Sequence, residues 1–135
     1  MLAAAVTLGV LLFLSSKHIS IVAAIGSTAF VLFAHPYADI SRPKNVIGGY
    51  GISFLVGYLI SLIPHASVFS GLVLAAAAVG LSMIFMLMTR TQHPPAAGAA
   101  LGTVMAGFSL GVILILIVKI IVVAGAHYAI RPWLR

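Results

Sequence analysis

Charge is confined to the seams of this chain. Of its charged residues, Lys17, Asp39, Arg42, Lys44, Arg90, Arg131 and Arg135 fall in short breaks or at the end, and Lys119 alone interrupts a long apolar run. Apolar runs of this kind satisfy their backbone polar groups in lipid as helices, with about 20 residues per crossing. Hydrophobic residues occupy 63% of the 135 positions and charged residues 6%, against roughly 25% charged in a soluble domain. The sequence therefore predicts an all-α, polytopic helical membrane protein, a single transmembrane domain over 1–135 with room for at most about six crossings.

Six hydrophobic segments are read: Leu2–Ser16, Ile19–Ala34, Asn45–Ile63, Ser70–Thr89, Ala96–Gly107 and Phe108–Tyr128. The breaks are Ser15 to His18, His35 to Lys44, Pro64-His65, Arg90 to Pro95, and a weak one at Gly107–Phe108 that suits a tight hairpin. Met1 to Ser16 lacks the preceding Lys or Arg of a cleaved signal peptide, so a retained helix is expected.

Segments two and five are short and rich in small residues. Placing Gly26 on Gly98 aligns Val22–Ala29 with Pro94–Leu101, and Leu12-Phe13 falls on Ile84-Phe85. This predicts an internal repeat of three segments per half, about 1–63 and 70–130, whose halves are inverted if every segment crosses. Six crossings put Arg42, Lys44, Arg90, Arg131 and Arg135 on one side and Lys17 on the other. Two re-entrant segments would instead set Lys17, Arg42, Lys44 and Arg90 against Arg131 and Arg135. The first split is more lopsided, and the cytoplasmic bias of positive charge prefers it, with both termini cytoplasmic.

The net charge of +6 does not indicate nucleic acid, because Lys and Arg are scattered at segment ends. With no cysteine, disulfides and thiolate metal sites are excluded. The histidines lack metal-ligand spacing, and His18, His65 and His127 fall near segment ends where interfacial solvation accounts for them. A single acid, Asp39, leaves no carboxylate pair and is expected to order its loop between His35 and Arg42. No catalytic triad, phosphate loop or dinucleotide fingerprint is present. The expectation is a protein that is not an enzyme, with no metal and no cofactor.

His93-Pro94-Pro95 breaks a helix inside an apolar stretch, because proline lacks the donor N–H and clashes with the preceding turn. Broken backbone at membrane depth is tolerated where it is buried in protein or lines a watery cavity, and short interrupted segments in matching halves point to a midplane site. A helix starting there offers free N–H groups and a positive dipole end to an anion. The candidate substrate-binding residues are Gly26, Ser27 and Thr28 on one side, and His93, Ala96 and Ala97 on the other, with Gln92 beside them. Pro94 and Pro95 remove two donors, which makes the second helix start the poorer cradle. Asn45 and the intramembrane Lys119 rank second. Gly49, Ser53 and Gly57 form a small-xxx-small ridge for helix packing.

These residues carry a resemblance. Ile25-Gly26-Ser27-Thr28-Ala29 through Leu32-Phe33-Ala34, then Arg42-Pro43-Lys44-Asn45-Val46-Ile47-Gly48-Gly49, then Met86 to Leu101 with His93-Pro94-Pro95, resemble in order and spacing the blocks of the HPP family of integral membrane proteins. The resemblance covers most of the chain. It implies membrane transport, and plastid and cyanobacterial relatives are linked to nitrite. Tyr50 stands where the family often has histidine, and Ala97 and Ala99 where it often has glycine and a hydroxyl residue. The family is commonly described with four spans rather than six, a count that treating two short segments as re-entrant would reproduce.

The expected function is a transporter or channel for a small monovalent anion, nitrite-like, working as a homo-oligomer (dimer or trimer) in the lipid bilayer of a prokaryotic plasma membrane. Passive permeation and proton symport through His93 both stay open at this point. The rival readings are a non-conducting scaffold or accessory subunit and a cation or neutral-solute channel.

Overall fold

The computed structural model describes residues 19–107 and 109–133, with the backbone alone for 19–22, 112, 115, 116 and 119. Segment one, Lys17 and His18 therefore lie outside the described residues. Five α-helices and two short 3-10 turns make up the rest, with no strand among the described residues. The helices are α1 (Ile19–Ala34), α2 (Pro43–Ser61), α3 (Val68–Thr89), α4 (Pro94–Ala106) and α5 (Leu110–Ile130). Apart from the start of α1, which coincides with the first described residue, the ends of segments two to six fall within two residues of the ends of these helices.

Local chemistry sets the ends. Pro43 opens α2 and Pro94-Pro95 open α4, the first-turn positions where a missing N–H costs nothing. Ser67 and Ser70 close a reciprocal capping box at the start of α3, satisfying donors that a helix start leaves free. Gly107, with φ +72°, ends α4 in a conformation open to glycine. At the other end of α3 the left-handed cap is Arg90, with φ 56° and ψ 39°. The Arg90 amide bonds the Leu87 carbonyl and the Thr91 amide bonds that of Met86, a turn in which glycine is the usual residue.

The short α4 is the hub, touching α1, α2 and α3. Its alanines permit this: Ala96, Ala99 and Ala100 are fully buried, and small side chains let backbones approach closely without demanding volume. The ridge on α2 receives α4 within the same chain. A Cβ added at Gly49 would lie 2.9 Å from Cβ of His93, and one at Gly57 would lie 2.9 Å from the Ala100 carbonyl oxygen. Since 49 meets 93 and 57 meets 100, α2 and α4 run the same way. Ala24 meets Gly98 at 3.1 Å from that glycine's notional Cβ and Thr28 meets His93, so α1 and α4 run antiparallel. The five helices thus alternate in direction.

One end of the bundle consequently gathers the close of α1, the start of α2, the close of α3, the start of α4 and the close of α5. Tyr128 donates to the Ser41 carbonyl at 3.0 Å, Tyr37 donates to the Arg131 carbonyl at 3.1 Å, and the Arg131 guanidinium lies 4.9 Å above the Tyr37 ring. Arg131 therefore shares an end of the bundle with Arg42, Lys44 and Arg90. Among the described residues, α3 alone is a helix of 18 residues or more that is apolar enough to cross a membrane. Its 22 residues span about 33 Å at 1.5 Å per residue, enough for the hydrocarbon core.

Candidate functional site

The chain from Arg90 to His93 turns back into the bundle before α4 begins. Gly49, the neighbour of His93, follows Pro43 by six residues in α2, and Thr28, its other neighbour, precedes Ala34 by six in α1. Six residues rise about 9 Å. The start of α4 is therefore sunk roughly two turns below the ends of the helices around it, as the proline break implies. Packing permits the descent because Gly48 and Gly49 leave room for Thr91 and His93; a Cβ on Gly48 would lie 2.6 Å from Cγ2 of Thr91.

Three side chains from three helices meet at this start. Thr28 Oγ1 lies 3.0 Å from His93 Nε2 and 2.8 Å from Tyr50 Oη, and Tyr50 Oη is 3.3 Å from the Ala24 carbonyl. His93 Nδ1 lies 2.8 Å from the Ile40 carbonyl. A carbonyl only accepts, so Nδ1 carries a hydrogen and donates it. In the neutral imidazole Nε2 then accepts from the Thr28 hydroxyl. Thr28, Tyr50 and His93 are 1%, 2% and 0% exposed, and a buried polar group without a partner costs about 1–3 kcal/mol. This closed set of bonds accounts for hydroxyl and imidazole groups in an otherwise apolar core.

Above the junction lies an open cleft of about 370 Å³, lined by Arg42, Lys44, Arg90, Asn45 and Gln92 together with Asp39 and Leu87. Asp39 pairs with Arg42 at 2.7 Å, and its carbonyl accepts from Asn45 Nδ2 at 2.6 Å. Asp39 thus orders its loop as the sequence implies, and the cleft keeps a positive balance. The start of α2 adds the positive end of its dipole. A second, smaller pocket of about 120 Å³ adjoins it, lined by Met83, Met86, Leu87, Gln92, His93 and Pro94. Leu87 and Gln92 line both, and the fully buried His93 borders the smaller one.

The residues singled out from sequence divide sharply. Thr28 and His93 come together. Gly26 and Ser27 sit inside α1 rather than at a helix start, so their amides belong to the helix ladder, and Ser27 is exposed. This corrects the picture of two facing helix starts: α4 supplies one, and α1 supplies a hydroxyl from its interior. Ala96 donates its amide to the His93 carbonyl at 2.9 Å, which removes it as a free donor, and its side chain and that of Ala97 pack in the core with Tyr50 and Ile25. Asn45 is 95% buried and borders the cleft, with its Oδ1 unpartnered. Lys119 lies in the backbone of α5, and its side chain falls outside the described residues.

His127 needs a correction too. It is fully buried, edge-on to Phe33 and Tyr128, rather than solvated at a segment end. Sequence reasoning missed Tyr50 as a participant and treated Arg42, Lys44 and Arg90 only as markers of topology. Their signal was that the breaks at His35–Lys44 and Arg90–Pro95 were assigned to one side, so their cations had to converge. No cluster of three metal-ligating side chains occurs among the described residues.

An all-helical bundle with a membrane-length apolar helix, a glycine ridge and a sunken His-Pro-Pro helix start defines a helical integral membrane protein. The chain belongs to the HPP family: the family's transmembrane region ("HPP, transmembrane region") matches residues 1–131. It is also 33% identical over 88 residues to a transmembrane protein of Dictyostelium discoideum, a match covering 63% of this chain and 30% of that protein. The chain thus spans under a third of the length of that relative. No solved structure matches it.

Proposed function

We propose that this chain is a membrane transporter or channel for a small monovalent anion, nitrite-like in size and charge. The observation that carries the reading is the cleft in which Arg42, Lys44 and Arg90 converge above a helix start sunk into the bundle. The positive-inside bias explains cations at one end of a membrane protein. It does not explain why three of them border one cavity with two carboxamides. Converging cations raise the local concentration of an anion and steer its approach, and the start of α4 lies sunk in the bundle beneath them.

The alternating helices and the antiparallel packing of α1 on α4 support six crossings, with segment one as the sixth, and an inverted repeat relating the two short helices. The basic end is then the cytoplasmic one. A homo-oligomer fits the many large apolar side chains left exposed on α2 and α3, which face lipid or further copies.

A second reading, a non-conducting scaffold, draws on the complete hydrogen bonding of His93, which a packing role also requires. Reversal potentials of the reconstituted protein in salt gradients test the proposal. A shift toward the anion equilibrium potential supports it. A shift toward the cation potential indicates a pore lined by carbonyls freed near Pro94 and Pro95, and no conductance or uptake of any solute leaves the scaffold.

A further inference from the structure

The hydrogen-bonded chain at His93 is complete in either of two proton counts. In the neutral state Nδ1–H donates to the Ile40 carbonyl, the Thr28 hydroxyl donates to Nε2, and the Tyr50 hydroxyl donates to Thr28 Oγ1. With a proton on Nε2 the polarity reverses. Nε2–H then donates to Thr28 Oγ1, the Thr28 hydroxyl donates to Tyr50 Oη, and the Tyr50 hydroxyl turns to the Ala24 carbonyl, already 3.3 Å away. One N–H bond has formed and two hydroxyls have rotated, and no donor has lost its acceptor. A junction that served packing alone would need one of these states.

The chemistry of the adjoining pocket bears on the second state. Its walls are Met83, Met86, Leu87 and Pro94, and Gln92 and His93 are its polar members. A bare anion gives up water there with no fixed charge to compensate, which is costly, whereas an anion beside an imidazolium is a neutral pair. From the data on this junction we propose that His93 loads one proton for each anion that passes, so that the protein is an electroneutral symporter of a monovalent anion with a proton. This rests on the anion-transport reading and deepens it. The proton enters with the anion from the basic end and leaves with it, so charge and atoms balance without a further reactant.

The groups that face His93 come from every element packed against it. Among the described residues, α2 presents Tyr50 to it, the loop presents the Ile40 carbonyl with Asp39 and Arg42 paired to each other, and α1 presents Thr28. From α3 come Met83, Met86 and Leu87, which do not titrate, and Arg42, Lys44 and Arg90 stay in the neighbouring cleft.

The test is uptake of labelled nitrate and nitrite by vesicles holding the purified full chain, with membrane potential clamped by valinomycin and potassium. Nitrate is included because its conjugate acid does not leak through lipid. An acid-outside gradient should accelerate uptake of both, and a change of clamped potential should not. Tyr50→Phe leaves the neutral state bonded but removes the acceptor for Thr28 in the charged one, so gradient-driven uptake should fall about tenfold. Tyr50→His, which restores a polar acceptor, should recover part of it. Uptake that follows the potential and ignores the pH gradient would overturn proton coupling while leaving anion transport intact. Absence of uptake for every anion would overturn the transport reading, and this one with it.

Discussion

Thr28 and His93 are 65 positions apart in sequence, and their side chains lie 3.0 Å apart in the core. That contact joins the interior of α1 to the start of α4, and Tyr50 of α2 closes the group at 2.8 Å from Thr28. Replacing Thr28 by Val removes the shared hydroxyl and leaves Nε2 and Tyr50 Oη buried without it. A loss of about 1–3 kcal/mol in stability is expected, while Thr28→Ser should restore most of it. Thermal unfolding in detergent measures both, and equal melting points for Val and wild type would show that the bond contributes nothing.

The same junction predicts non-additivity. Tyr50→Phe in a Thr28→Val background should cost less than in the wild type, because the partner has already gone. Neighbours in one network commonly couple by 0.5–3 kcal/mol, about the range expected here. A double-mutant cycle that closes with no coupling would contradict the network.

Gly57 and Gly51 stand on the same helix and should respond in opposite ways to alanine. At Gly57 the new Cβ would meet the Ala100 carbonyl oxygen at 2.9 Å, whereas at Gly51 it meets nothing within 4 Å. Backbone cannot swing aside as a flexible side chain can, so Gly57→Ala should destabilise by about 1–3 kcal/mol. Gly51→Ala should be neutral or stabilise by up to about 1 kcal/mol from helix propensity. Thermal denaturation of the two variants side by side checks the α2–α4 contact.

Arg90 holds a left-handed backbone, φ 56°, at the cap of α3. A non-glycine residue pays roughly 1–2 kcal/mol for that conformation. Arg90→Gly should therefore raise stability and weaken anion uptake together, and Arg90→Gln should weaken uptake without the gain in stability. The loss should shrink at high salt, since exposed charges are screened over about 3 Å at 1 M. Melting points with apparent affinity at two ionic strengths separate these effects, and uptake untouched by either variant would remove Arg90 from the path.

Much of this architecture was legible in the sequence, for physical reasons that differ by element. Segments two to six announced themselves because prolines and polar breaks fix helix ends almost independently of tertiary context: the close of segment two at Ala34 is reproduced to the residue. His93 was legible because two prolines in an apolar run must mark a helix start. Gly26 and Ser27 were misassigned as free donors because small residues look alike at a helix start and in a helix interior, and only the backbone ladder distinguishes them. Tyr50 was hidden for a related reason. Within Gly48-Gly49-Tyr50-Gly51 it reads as one large residue in a packing ridge, and nothing local reveals that its hydroxyl reaches α1. The basic cleft depends on the angles at which breaks far apart in sequence meet.

The central claim is that a small anion crosses the membrane through this protein by way of the Arg42–Lys44–Arg90 cleft. The most direct measurement is uptake of labelled nitrite into sealed vesicles containing the wild-type chain, the Arg42→Gln/Lys44→Gln/Arg90→Gln variant, or no protein. The account predicts uptake above empty vesicles for the wild type and at least a tenfold loss for the triple variant, about what 1.4 kcal/mol of lost attraction produces. Wild-type uptake no greater than that of empty vesicles, for nitrite and for other small anions alike, would contradict it.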